Sequence, residues 1–134
     1  SWQEHYPNLQ GCQLEDANLS GQNMWFGNFT CANLTNANLS YAQIGDAVFE
    51  NAQMQGADLS NSDQGGAMGA NFNNADLQNA NFTGSSIAST FVNANLAYAN
   101  FDNIGNGWYL DISGACIEGI DQQSLVAQFD YSEF

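Results

Sequence analysis

Residues 32–41 read Ala-Asn-Leu-Thr-Asn-Ala-Asn-Leu-Ser-Tyr, which is one five-residue block written twice in succession. Each block begins with a small residue, continues with Asn and a large apolar residue, and ends with two variable positions. A period of five matches neither the 3.6-residue period of an amphipathic helix nor the alternation of a half-buried strand. The pattern therefore predicts a repeat architecture in which each block is one structural unit.

The same block extends outward from residues 32–41 in unbroken frame from Pro7 to Asn61. A Gly pair inside the polar stretch 62–69 indicates a loop. A second run begins at Ala70, loses one residue after Ile87 and becomes irregular over 104–109. Two more blocks follow. The central apolar residues are Leu9, Leu14, Leu19, Met24, Phe29, Leu34, Leu39, Ile44, Phe49, Met54 and Leu59, then Phe72, Leu77, Phe82, Ile87, Phe91, Leu96, Phe101, Ile112 and Ile117.

These blocks resemble the pentapeptide-repeat family, whose pattern is a small residue, Asn or Asp, Leu or Phe, and two polar positions. The resemblance covers residues 7–119. It implies an all-β fold, a right-handed quadrilateral β-helix with one block on each side and about twenty residues per turn. The small and central residues then point inward. We accordingly divide the chain into an N-terminal cap (1–6), the β-helix (7–119) and a C-terminal tail (120–134).

Residues twenty apart would stack in such a helix, and their chemistry agrees. Phe29 falls on Phe49, and Leu19, Leu39 and Leu59 form one column. After the lost residue the offset becomes nineteen, yet Phe72 still meets Phe91, Leu77 meets Leu96 and Phe82 meets Phe101. This likeness favours four blocks per turn, with turns about 4.8 Å apart.

The tail has a different pattern. Leu125 and Phe129 are spaced i,i+4 behind Asp121, a suitable N-cap, so we expect a short helix or cap there. An aromatic, acidic end follows.

The chain has no Lys or Arg and a formal net charge of -14. Without cationic groups it should bind neither nucleic acid nor an anionic membrane surface. No apolar run is long enough to cross a membrane. We therefore expect neither direct nucleic-acid binding nor membrane insertion.

No catalytic, cofactor-binding or metal-binding motif is present, so we expect no enzymatic activity, cofactor or metal. The single histidine, His5, lies outside the repeats and is assigned to the end cap. Cys12, Cys31 and Cys116 form an odd set. Cys12 and Cys31 are nineteen residues apart, so a bridge between them and two separate small apolar thiols both remain open.

Five Asn-x-Ser/Thr sequons occupy positions that should face outward: Asn18, Asn28, Asn33, Asn38 and Asn81. Any Ala-Asn-Leu-Ser/Thr block creates such a sequon automatically. In a secreted protein they would be candidate glycosylation sites.

Two functions are compatible with this sequence. The first is a non-enzymatic structural or assembly scaffold, extracellular or at the cell surface, that associates with itself end to end and can form filaments. Its motivations are the polar, Lys- and Arg-free surface, the aromatic tail and a first residue other than Met, which suggests a processed chain. The self-association candidates are Phe129, Tyr131, Phe134, Trp108 and Tyr109.

The alternative comes from the family resemblance. Some pentapeptide-repeat proteins are acidic rods that mimic DNA and bind a type II topoisomerase. In that case this protein would be cytoplasmic. The charge of -14 fits such a rod, but the carboxylates are scattered along the sequence and form no phosphate-like line.

Overall fold

The repeats wind into a right-handed quadrilateral β-helix, which confirms the fold predicted from the sequence. The computed structural model describes residues 7–64, 69–105, 109–122 and Leu125. Parallel bridges join successive turns, as between Asn8 and Asn28. Three short strands are continuous enough to be assigned as elements: β1 (Ala70–Asn71), β2 (Ser89–Thr90) and β3 (Leu110–Asp111). They form one parallel sheet in the order β1-β2-β3, with Ala70 opposite Ser89 and Ser89 opposite Leu110.

Each of the four faces is a stack of blocks, and we number the faces by their central residues. Face 1 carries Leu9, Phe29, Phe49, Phe72, Phe91 and Ile112. Face 2 carries Leu14, Leu34, Met54, Leu77, Leu96 and Ile117. Face 3 carries Leu19, Leu39, Leu59, Phe82 and Phe101. Face 4 carries Met24, Ile44, Gln64 and Ile87.

The small and central residues line the interior, as the sequence predicts. On face 1 the rings of Phe29 and Phe49 stack with centroids 4.7 Å apart, and Phe49–Phe72 and Phe72–Phe91 follow at 4.9 Å. On face 3, Phe82 and Phe101 stack at 4.8 Å. These spacings equal the separation of neighbouring strands, so the helix pitch itself sets the stacking distance.

The corners explain which residues can end a block. The fifth residue has a positive φ in almost every block, for example 58° at Asn51 and 68° at Gly56. A hydrogen bond closes most of these corners, as from the Ala32 N–H to the Phe29 carbonyl at 3.0 Å. Gly, Asn and Asp tolerate this left-handed conformation best, and they predominate at these positions.

All changes of period fall at one corner, between face 4 and face 1. The bridge offset is 20 residues for Asn28 and Val48, 23 for Val48 and Asn71, 19 for Asp76 and Asn95, and 21 for Asn95 and Cys116. The sequence predicts the first break at Ser62, but the β-helix continues further. Asp63 bridges to Gln43 and to Ser86, so residues 62–64 belong to a regular face 4 block.

This block cannot be recognised from the repeat pattern, because its interior positions are occupied by polar residues. Ser62 and Gln64 occupy the small and central positions and are buried, as are Ser85 and Ser89. Ser89 Oγ donates to Gln64 Oε1 at 2.8 Å, and Gln64 Nε2 donates to Ser62 Oγ at 3.2 Å. Because Ser85 Oγ donates to the Leu59 carbonyl at 2.5 Å, the 3.2 Å contact between Ser62 Oγ and Ser85 Oγ uses the Ser62 proton. Each buried side-chain nitrogen and oxygen atom of this polar cluster thereby has a hydrogen-bond partner.

The C-terminal turn is partly covered. Gln122 and Leu125 have helical backbone, and the Leu125 N–H donates to the Asp121 carbonyl at 3.4 Å. Leu125 is buried against the last turn. This arrangement fits the cap expected after Asp121, whereas Phe129 lies outside the described residues.

Candidate functional site

Face 3 carries the most regular polar surface of the described chain. Its second position is Asn18, Asn38, Asp58, Asn81 and Asn100 in successive turns, and its fourth is Ser20, Ser40, Ser60, Thr83 and Asp102. Together they make two parallel columns, with a repeat of about 4.8 Å along the axis.

Hydrogen bonds within each block fix these side chains. Asn38 Oδ1 accepts from the Ser40 N–H at 3.0 Å and from Ser40 Oγ at 2.7 Å. The same pair of bonds recurs at Asn18 and Asn81. These bonds fix the orientation of each amide, and the Nδ2 groups of the three asparagines donate to no other described residue. Face 3 thus presents ordered amide donors in a column that Asp58 interrupts.

Two exposed tyrosines flank face 3 at opposite corners. Tyr98 lies at the corner between faces 2 and 3 and is 52% exposed, and Tyr41 lies at the corner between faces 3 and 4 and is 66% exposed. Both occupy the fifth position, with φ of 60° and 58°. A bulky residue is costly in this conformation, and neither ring recovers that cost through burial.

Tyr98 is held in a defined orientation. Its hydroxyl donates to Glu118 Oε1 at 2.8 Å, one turn further along the helix. The ring lies over Gly119, where any Cβ would overlap the ring atoms. Two effects of Glu118 raise the pKa of Tyr98 above its ordinary value of 10.0: the hydrogen bond is the larger, and the repulsion between the carboxylate and a phenolate is the smaller.

A shallow pocket of about 260 Å³ lies beside this ring at the C-terminal end of face 3. Its lining includes Tyr98, Asn100, Asp102, Gly119 and Asp121. The repeat frame puts Tyr41 and Tyr98 at fifth positions of blocks but does not place them around one face. For Tyr98 that placement needs the irregular offsets at the corner between faces 4 and 1, which the sequence does not show.

The predicted glycosylation candidates Asn18, Asn28, Asn33, Asn38 and Asn81 all lie at second positions of blocks. Asn18 is exposed, whereas Asn33 is only 9% exposed and its Nδ2 donates to Gln13 and Glu15. In four of the five sequons the Ser or Thr hydroxyl donates a hydrogen bond to the Oδ1 of the Asn and so fixes its conformation, at Asn18, Asn33, Asn38 and Asn81. The repeat therefore has a structural reason to contain these sequons, and their modification stays a prediction.

The thiols of Cys12, Cys31 and Cys116 are all free. Cys12 occupies an interior small position and Cys31 a corner with φ of 60°. No group of carboxylate, histidine and cysteine side chains suited to a metal ion occurs among the described residues. The same residues contain no helix long and apolar enough to span a membrane.

Of the self-association candidates, Tyr109 is described and is 54% exposed at the corner between faces 4 and 1. Trp108, Phe129, Tyr131 and Phe134 lie outside the described residues. The carboxylates of the described chain are distributed over all four faces, with Glu50 on face 1, Asp76 on face 2, Asp102 on face 3 and Asp63 on face 4.

The fold and this surface define a class: acidic β-helical solenoids with one pentapeptide on each side. The family model for pentapeptide repeats matches residues 28–63 and 68–104, with eight copies. The chain therefore belongs to the pentapeptide-repeat family, as the sequence pattern predicted. A comparison with curated protein sequences gave no match.

Solved structures of the same family are similar to this chain. The pentapeptide-repeat protein Rfr23 of the cyanobacterium Cyanothece 51142 is 21% identical, with a TM-score of 0.67, over 84% of this chain and 85% of Rfr23. HetL of Nostoc sp. strain PCC 7120, involved in heterocyst differentiation regulation, is 22% identical, with a TM-score of 0.58. That match covers 81% of this chain but only 56% of HetL.

A pentapeptide-repeat protein of the Arabidopsis thaliana thylakoid lumen is 31% identical, with a TM-score of 0.43. It matches over 72% of this chain and 69% of its own. The likeness to Rfr23 and HetL establishes the fold and does not assign a function to this chain.

Proposed function

We propose that this protein is a non-enzymatic assembly scaffold that associates with itself end to end. The observation that carries the proposal is the incomplete burial of the apolar central residues in the first turn. Three of its four central residues, Leu9, Leu14 and Leu19, are only partly buried, whereas the residues stacked on them in the second turn, Phe29, Leu34 and Leu39, are fully buried. The fourth, Met24, is buried. Apolar positions that the repeat otherwise buries are thus accessible at the N-terminal end of the described helix.

The backbone at this end is also suited to pairing. Within the helix, Asn33 uses its N–H and its carbonyl to bond Cys12 and Leu14 in the turn below, at 2.9 and 2.7 Å. Gln13 is the equivalent residue of the first turn, so its N–H and carbonyl point away from the helix. No backbone group of the described residues pairs with them. Such an open strand edge readily accepts a further strand.

The opposite end offers a complementary surface. Ile112, Ala115 and Ile117 of the last turn are partly buried, and the pattern of the ladder directs the N–H groups of Ile112 and Ile117 beyond the end of the helix. A contact between unlike ends leaves each copy with a free end. Repetition of that contact would therefore build a filament, whereas pairing of like ends would give a closed dimer.

Gln13→Pro tests this proposal. It removes the edge N–H without breaking a backbone bond inside the helix, and proline is tolerated on edge strands. Gln13→Ala is the matched control, because it also loses the side-chain bond from Asn33 but keeps the N–H. We expect concentration-dependent association in sedimentation experiments, and stacks or filaments in electron micrographs, for the wild type and Gln13→Ala only.

A wild-type protein that remains monomeric at all accessible concentrations would overturn the proposal. Equal association of Gln13→Pro and wild type would exclude the N-terminal edge as the contact. The predicted contribution of Phe129, Tyr131 and Phe134 is tested separately by truncation after Gln128, which should weaken association if the tail takes part.

The proposal places the scaffold outside the cytoplasm or at the cell surface. It is supported by the exposed sequon at Asn18 and the absence of Lys and Arg. Cys31 and Cys116 provide a test, because their exposed thiols would be oxidised in such a compartment. Protein recovered from its natural source should then contain interchain disulfides or blocked thiols, and fully reduced thiols would contradict this location.

The alternative is an acidic DNA mimic that binds a type II topoisomerase, and the net charge of -14 supports it. The dispersal of carboxylates over four faces disfavours it, because a DNA mimic needs its negative charge aligned on one surface. Gyrase supercoiling measured with the purified protein discriminates between the two functions. Inhibition or protection at micromolar concentration would replace the scaffold proposal with the DNA-mimic function.

A further inference from the structure

We propose that face 3 binds an uncharged polysaccharide chain running along the helix axis between Tyr41 and Tyr98. The inference is independent of end-to-end association, since face 3 lies along the side of the helix. It rests on the ordered polar columns, the two flanking rings and the pocket beside Tyr98.

The polar columns match the chemistry of a sugar chain. Sugars present hydroxyl groups that accept and donate hydrogen bonds at regular intervals. Between the two rings, face 3 offers Nδ2 donors at Asn38 and Asn81, and the hydroxyl oxygen of Ser40 and the carboxylate of Asp58 as acceptors. Because each side chain is already fixed by its bonds within the block, little conformational entropy is lost when a ligand binds.

The two tyrosines add the apolar part of the site. Aromatic rings with one apolar face and one polar tip are common at binding surfaces. Tyr41 belongs to the second turn and Tyr98 to the fifth, so they are about 14 Å apart along the axis. This is longer than one sugar ring, and the two rings therefore require a chain rather than a monosaccharide.

The pocket gives one end of the face a more specific site. Asp102 and Asp121 line it beside the ring of Tyr98. Carboxylates accept hydrogen bonds from neighbouring hydroxyl groups, and charge-assisted bonds of this kind are stronger than neutral ones. Glu118 holds the Tyr98 ring over Gly119, and about half of the Tyr98 surface remains exposed and can stack on a sugar.

Charge selects the occupant. The chain has no cationic side chain other than the single histidine and carries a formal charge of -14. An anionic polymer such as alginate, nucleic acid or a sulfated glycan would be repelled. A protein partner would need a matching apolar patch, whereas face 3 is mostly amide and hydroxyl between its two rings. A neutral hydroxylated chain is the ligand class that fits.

The experiment measures retention of the full chain on insoluble cellulose, chitin and β-1,3-glucan, with alginate as the anionic comparison. Tyr41→Asn and Tyr98→Asn remove the rings while placing a residue that suits the positive φ, so both variants should fold. Phe26→Asn is the matched control, because Phe26 is also an exposed ring at a fifth position, with φ of 57°, but lies at the corner between faces 4 and 1. Measuring each variant also in the Gln13→Pro background separates binding from association.

We expect retention on at least one neutral polysaccharide and none on alginate. Tyr98→Asn should weaken binding about tenfold, Tyr41→Asn somewhat less, and the double variant more than either. Phe26→Asn should bind like the wild type. Lack of retention on every neutral polysaccharide would overturn the proposal. So would equal losses in Tyr41→Asn, Tyr98→Asn and Phe26→Asn, which would indicate non-specific adsorption.

Discussion

Face 1 and face 4 fill the same interior in different ways. On face 1, Phe29, Phe49 and Phe72 stack with ring planes within 7° of parallel. On face 4, Ile44 is followed by the buried Gln64, whose amide is bonded to two serines. The chain between Phe49 and Phe72 contains the three extra residues, yet the stack continues. A column of like side chains therefore stays continuous even where the number of residues per turn changes. The corner that contains the extra residues is held instead by specific hydrogen bonds.

Phe49→Ala should break the regular region most severely. The ring is fully buried and stacks on both neighbours, at 4.7 and 4.9 Å. Its loss leaves a cavity that the rigid turns cannot close, so we expect a loss of about 3–5 kcal/mol in the free energy of unfolding. Phe49→Leu introduces the aliphatic residue type found on faces 2 and 3, and its free energy of unfolding should fall considerably less. Denaturant unfolding measures both, and equal losses would show that the stack contributes no more than an aliphatic column.

Gly69→Ala should damage the irregular corner next most severely. Gly69 has a φ of 70°, and an added Cβ would overlap the carbonyl oxygen of Ala88. Backbone atoms cannot move aside as a flexible side chain can, so we expect a loss of at least about 1–3 kcal/mol.

Gly21→Ala separates the two causes of that loss. Gly21 has nearly the same φ, 68°, with nothing within 4 Å of an added Cβ. It should lose only the cost of the left-handed conformation, about 1 kcal/mol. If both variants lost the same amount, the close approach at the corner between faces 4 and 1 would have no energetic importance.

Gln64→Ile tests whether the hydrogen bonds of the polar cluster stabilise the corner, or whether the cluster merely avoids leaving buried polar groups unpaired. The change extends the Ile44–Ile87 column but removes the acceptor of the buried Ser89 hydroxyl. We expect a loss of about 1–3 kcal/mol from the unsatisfied group. The double variant Gln64→Ile/Ser89→Ala should recover most of that loss, because both polar partners are then gone. Thermal unfolding of the two single variants and the double variant gives the coupling, and additive losses would contradict it.

The sequence predicts the regular faces well because their information is local. Each block repeats its small residue, its Asn or Asp and its apolar centre, and stacking follows from the period alone. Gln64 could not be assigned to the interior in this way, since its burial depends on Ser62, Ser85 and Ser89, which approach only in the folded helix. The same limit applies to the candidate site. Tyr98 flanks face 3 only after the offsets of 23 and 19 residues have been applied.

The smallest expected effect concerns Tyr98 at the edge of the regular surface. Its phenol donates to Glu118, and this bond exists only while the phenol is protonated. The pKa of Tyr98 is accordingly raised above 10.0. A raised pKa of an acid in the folded state gives a stabilisation that is fully present below pH 10 and is lost as the pH rises through the folded-state value.

Tyrosinate absorbance against pH, compared between the wild type and Tyr98→Phe, isolates this group among the five tyrosines. Glu118→Gln should lower the pKa of Tyr98 towards 10.0, because the amide oxygen still accepts the hydrogen bond but carries no charge. The midpoint of thermal unfolding should hardly change at neutral pH, since the pair is exposed and screened by solvent. An unchanged pKa in Glu118→Gln would show that the charge of Glu118 does not contribute to the raised pKa of Tyr98.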